Sequence, residues 1–76
     1  MRTVKVNINS IEKVKSFVNT VTAFDTEFDL VSGRFVIDAK SIMGIFSLDL
    51  SKPIILNRYN DDDASILESL QPFIVE

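Results

Sequence analysis

The 76-residue sequence contains no cysteine, no histidine and no tryptophan. Without cysteine there is neither a disulfide framework nor a thiolate metal site. With histidine missing as well, the usual zinc ligands are gone, and neither a metal nor a cofactor is expected. Long apolar runs are also missing, so no segment reaches the length of a membrane span. Met1-Arg2 leads straight into an alternating pattern rather than a signal peptide. Basic residues do not dominate: eight Lys and Arg stand against eleven Asp and Glu, a net charge of −3 that argues against a nucleic-acid partner. What is abundant is apolar side chain, 46% of the sequence, enough for a core. These features predict one small soluble cytoplasmic domain over residues 1–76, of modest stability because a short chain buries little of its surface.

Val4, Val6 and Ile8 alternate with polar residues and predict a half-buried strand. Asn9 or Ser10 then caps a helix, and Asn9 with Glu12 approximates a capping box. Ile11, Val14, Phe17, Val18 and Val21 recur at helical spacing and predict one apolar stripe. Phe24-Asp25-Thr26 is a connection, and residues 27–31 alternate again with Phe28 and Leu30 inward. Ser32-Gly33 reads as a two-residue hairpin loop before a partner strand over 34–38. After a short second helix, Pro53 sits at the start of a strand running to about Tyr59. Asn60-Asp61-Asp62-Asp63 places carboxylates at the head of a last helix, with Ile66, Leu67 and Leu70 on its apolar side and Pro72 ending it. Phe73, Ile74 and Val75 are too apolar for a free tail and should pack back onto the body. The order β-α-β-β-α-β-α predicts an α+β fold: a four-stranded antiparallel sheet with three helices on one face.

The most informative stretch is Ala39-Lys40-Ser41-Ile42-Met43-Gly44-Ile45-Phe46-Ser47-Leu48. Ser41 stands ahead of an apolar run with helical spacing, where an N-cap oxygen meets unpaired backbone N–H groups. A phosphate is tolerated in such a place, by about 0.3–1 kcal/mol when exposed. Ile42, Met43, Ile45, Phe46 and Leu48 cannot all point inward from two turns, so an exposed apolar patch is expected. Two readings stand side by side here: an ordinary serine cap on a buried helix, and a modifiable serine beside a docking surface. The remaining candidates are weak. The Asp61 to Asp63 run lacks calcium-loop spacing and its closing glutamate. Asp25, Glu27 and Asp29 share one strand face, which is most simply solvated. Ser10 with Glu12 lacks a base and an orienting third residue, so no catalytic residue is assigned and no enzyme is expected.

The run from Lys40 to Leu48 resembles the regulatory-serine segment of the HPr family, the histidine-containing phosphocarriers of the bacterial sugar phosphotransferase system. The likeness is strong there and weaker along the rest of the chain. It implies the HPr-like open-faced β-sandwich, with a last helix shorter than usual in the family. It also implies that Ser41 is a site for an ATP-dependent kinase, and that the modified protein docks on regulators. The family's phosphorylated histidine opens its first helix, followed by an arginine and a proline. Counting back from Ser41 without a gap, that place falls on Ser10, followed by Ile11-Glu12-Lys13. A serine phosphate ester is not labile enough for relay, and Glu12 supplies the wrong charge for an oxyanion. Lys13 lacks a guanidinium's fork geometry. The resemblance therefore implies no carrier activity, but partner binding through Ser10, Lys13, Lys40, Ile42, Met43, Phe46 and Ser47. The implied partners are other proteins: a regulator, a kinase or phosphotransferase components. A degenerate relative kept as an assembly module is the alternative, and the chain is expected as a monomer or a weak homodimer.

Overall fold

A computed structural model describes residues 2–59 and 64–75. Its elements run β1 (Arg2–Val6), α1 (Ile11–Thr22), β2 (Phe28–Ser32), β3 (Phe35–Asp38), α2 (Ile42–Phe46), β4 (Ile54–Arg58) and α3 (Ala64–Leu70). A 3-10 turn at Gln71–Phe73 follows. The four strands form one antiparallel sheet in the order β1-β4-β2-β3. The expected α+β architecture is what the chain adopts. The proposed carboxylate cluster at 60–63 lies outside the described residues.

Register explains how alternating strands make one core. Val4, Leu56, Leu30 and Ile37 lie side by side across the sheet, and Val6 lies opposite Ile54. Side chains alternate faces along a strand, so this row and its second neighbours point to one side. Val6, Phe28, Leu30, Ile54 and Leu56 are buried there with Ile8, just past β1. Val14, Phe17 and Val21 of α1, Ile45 of α2, and Ile66 and Leu70 of α3 cover them. Phe73 joins this core with its ring edge-on to Phe17 at 5.5 Å. The other face carries Lys5, Ile55, Val31 and Val36 as a row, and among the described residues no helix lies on it.

Three local expectations need correction. Ile11 is 62% exposed and does not share the buried stripe. It is the first residue of α1, so it lies past the end of the stripe formed by Val14, Phe17 and Val21. The helix is capped by Ser10, whose Oγ accepts from the Lys13 N–H at 3.1 Å, and not by an Asn9–Glu12 box. The hairpin loop is Gly33-Arg34, one residue later than the sequence pattern places it, because Ser32 still pairs with Phe35. Gly33 has φ +62 at the first loop position, which is where a turn matched to sheet twist needs a residue without Cβ. Leu67 is half-buried, in keeping with its expected place on the apolar side of α3.

The tail behaves as its composition predicts, and adds a feature that alternation alone does not reveal. The Asn7 N–H donates to the Phe73 carbonyl at 2.7 Å, and the Val75 N–H to the Lys5 carbonyl at 3.0 Å. Val6 and Ile74 form an antiparallel bridge. The chain end thus covers the outer edge of β1, although the Val75 side chain itself stays 46% exposed.

Candidate functional site

The site is built on α2 and the first turn of α1, two helices in contact with one another. The run into α2 begins in a turn, where the Lys40 N–H donates to Asp38 Oδ1 at 2.9 Å. The Ser41 N–H donates to the Asp38 carbonyl at 3.0 Å. Ser41 then takes extended backbone angles, φ −96 and ψ 102, and its Oγ accepts from the Gly44 N–H at 3.2 Å. It is an N-cap by geometry, as its position predicts. The residue is exposed, and its oxygen only accepts in that bond, which leaves the O–H unused by it. Gly44 makes the close approach possible: a Cβ there would stand 3.2 Å from Ser41 Oγ and 3.4 Å from Ile37 Cδ1.

Helical spacing sorts the five residues of α2. Ile42 and Ile45 are three apart and turn toward the body, half-buried and fully buried. Met43 and Phe46 are also three apart and turn outward, 80% and 42% exposed. A hydroxyl and an exposed thioether–phenyl pair therefore share one short helix. Ser47 is exposed, but its hydroxyl donates to the Gly44 carbonyl at 2.6 Å and closes the helix end.

Lys40, implied as a partner-binding residue, turns its side chain back onto the body. Its ammonium donates to the Phe24 carbonyl at 2.8 Å and lies 6.0 Å from the centre of the Phe28 ring. The side chain is a tether between the start of α2 and the approach to β2. Ser10 and Lys13 are exposed on the first turn of α1, with the Ser10 oxygen committed to the Lys13 N–H. A shallow groove of about 550 Å³ runs beside them, walled by Ser10, Lys13 and Ser16 and by Ser69 and Pro72 across it. Sequence reasoning does not find Ser69 and Pro72 as neighbours of Ser10, because only tertiary packing sets α3 beside α1. Nor does it find Ile11 as surface; its exposure adds apolar area next to Ser10.

Among the described residues two ionisable groups are shifted, neither of them within α1 or α2. The Ser51 hydroxyl and N–H donate to Asp49 at 2.6 and 3.1 Å and hold its carboxyl below the ordinary value. The Tyr59 hydroxyl donates to Asp29 at 2.8 Å, and that bond raises its pKa. Neither shift supplies an acid–base pair in a cleft. Among the described residues there is no group of three histidine, cysteine, aspartate or glutamate side chains placed to hold a metal. No helix among them is long and apolar enough to cross a membrane.

No family model and no curated protein matches the sequence. Solved structures do match. The HPr-C-His protein of Thermoanaerobacter tengcongensis superposes with a TM-score of 0.78 at 26% identity, over 95% of this chain and 89% of that one. The phosphocarrier protein HPr of Bacillus anthracis superposes with a TM-score of 0.72 at 23% identity, over 97% and 94%. The superposition covers nearly the whole chain, beyond the reach of any single motif, and gives it the fold of the HPr phosphocarrier proteins.

Proposed function

We propose that the chain is a non-catalytic, cytoplasmic HPr-like protein of a single domain that works by binding other proteins. The observation that supports this reading is the pairing of an exposed N-cap serine, Ser41, with exposed Met43 and Phe46 on the same short helix. An apolar pair at the surface suits a protein contact. A hydroxyl one turn away suits a modification that adds charge to that contact without reshaping the fold. Ile42, Ser47 and the Ser10 to Lys13 turn extend the proposed contact surface. Lys40 serves it by fixing the start of α2 through Phe24.

Phosphoryl relay is not part of the proposal. Relay needs an imidazole that takes up phosphate and releases it, and the sequence has none. Ser10, the residue found at the family's position by ungapped counting, has its oxygen tied into the helix cap. The proposed partners are a transcriptional regulator, a kinase or phosphotransferase components.

Partner capture with the wild-type chain, Ser41→Asp and Met43→Asp tests the reading. Binding that changes with Ser41→Asp and is lost with Met43→Asp is the expected result. A partner set indifferent to both substitutions contradicts it and favours an assembly module.

A further inference from the structure

The two edges of the sheet are finished in different ways. The edge of β1 is covered by the chain end, through the bonds of Asn7 and Val75 and the Val6–Ile74 bridge. The edge of β3 has a strand on one side only. The Ala39 N–H donates to the Phe28 carbonyl, so the backbone of residues 35 and 37 faces β2 and that of 34 and 36 faces outward with the Asp38 N–H, the Asp38 carbonyl being taken by the Ser41 N–H. Natural edges are usually blunted by lysine, proline or a bulge. Here the strand interior is Phe35-Val36-Ile37, with Phe35 and Val36 63% and 62% exposed.

Read antiparallel to itself about Val36, this strand is complementary. Arg34 falls opposite Asp38, Phe35 opposite Ile37, and Val36 opposite Val36. Arg34 forms no ion pair among the described residues. We propose that β3 pairs antiparallel with β3 of a second copy about a two-fold axis through Val36, joining two sheets into one of eight strands. The outward N–H and carbonyl of each Val36 bond to those of the other. Two Arg34–Asp38 ion pairs close the ends, and each Phe35 lies against the Ile37 of the other copy. A foreign strand would have to present the same charges in reverse order; β3 supplies that order to itself, and a two-fold contact uses it twice. The strand has four residues, so the dimer is weak and fills at roughly 0.1–1 mM protein. Asp38 also holds the Lys40 and Ser41 N–H groups, but the dimer contact does not use the Ser41 hydroxyl, so oligomeric state and modification of Ser41 are tested separately.

Sedimentation equilibrium of the wild-type chain, Arg34→Asp, Asp38→Arg and an equimolar mixture of the two variants tests it. The wild type should associate with rising concentration, each single variant should weaken association about tenfold or more, and the mixture should restore it, because both ion pairs re-form across the unlike pair. Asp38→Arg also removes the acceptor of the Lys40 N–H. Val36→Pro therefore serves as a second variant: it deletes only an outward N–H and should abolish the dimer, with circular dichroism confirming the fold. A wild type that stays monomeric to about 1 mM, or a dimer that survives both Arg34→Asp and Val36→Pro, overturns the proposal.

Discussion

At the residue scale the account turns on hydroxyls that cap helices. Ser10 and Ser41 each satisfy one backbone N–H that the helix leaves open. Ser10→Ala and Ser41→Ala should each lower stability by about 1 kcal/mol in urea unfolding. Ser41→Asp should stay close to wild type, because aspartate caps as well as serine and its charge suits a helix start. Sequence position alone identified both caps' neighbourhoods; it could not choose Ser10 over Asn9, because either places an oxygen within reach of the first turn. It also could not show that the Lys40 ammonium is taken up by Phe24, a contact between residues sixteen apart. Gly33 makes a sharper prediction. Its φ of +62 crowds any Cβ against the backbone, so Gly33→Ala should cost about 1–2 kcal/mol in the same measurement.

At the element scale the strands and helices were legible because each has one apolar period, and the periods switch where the elements do. Val4, Val6, Phe28, Leu30, Ile54 and Leu56 alternate; Val14, Phe17 and Val21 recur by helical turns. The hairpin was placed one residue early because Ser-Gly and Gly-Arg both read as turns, and pairing of Ser32 with Phe35 decides between them. The covering of β1 by the chain end was visible only as greasiness, not as a bridge. That covering gives Phe73 a core position against Phe17, and Phe73→Ala should cost about 3–5 kcal/mol. A domain this size holds roughly 4–11 kcal/mol in all, so the variant should melt far below wild type in a thermal scan. The turn before β4 has its own test. Asp49 gains hydrogen bonds from Ser51 when ionised, so its folded pKa lies below the ordinary aspartate value. Its contribution is present above that value and lost as pH falls through the folded pKa. Carboxyl-carbon NMR should show Asp49 titrating below 3.8, and Ser51→Ala should move it back up.

At the scale of the whole molecule, an open-faced sheet leaves function to the helical layer and its rim. The helices bury Val14, Phe17, Ile45, Ile66 and Leu70, expose Ile11, and leave Met43 and Phe46 at the surface beside Ser41. The same layer offers no imidazole, no metal ligand cluster among the described residues and no acid–base pair. The proposed recognition role rests on that exposed surface, with charge added at Ser41 as its proposed control. Mass spectrometry after incubation with ATP and an HPr-type serine kinase examines this most directly. One added phosphate, localised to Ser41 and absent from Ser41→Ala, is the predicted result; a chain that remains unmodified at Ser41 while a cognate HPr in the same tube is phosphorylated would contradict it.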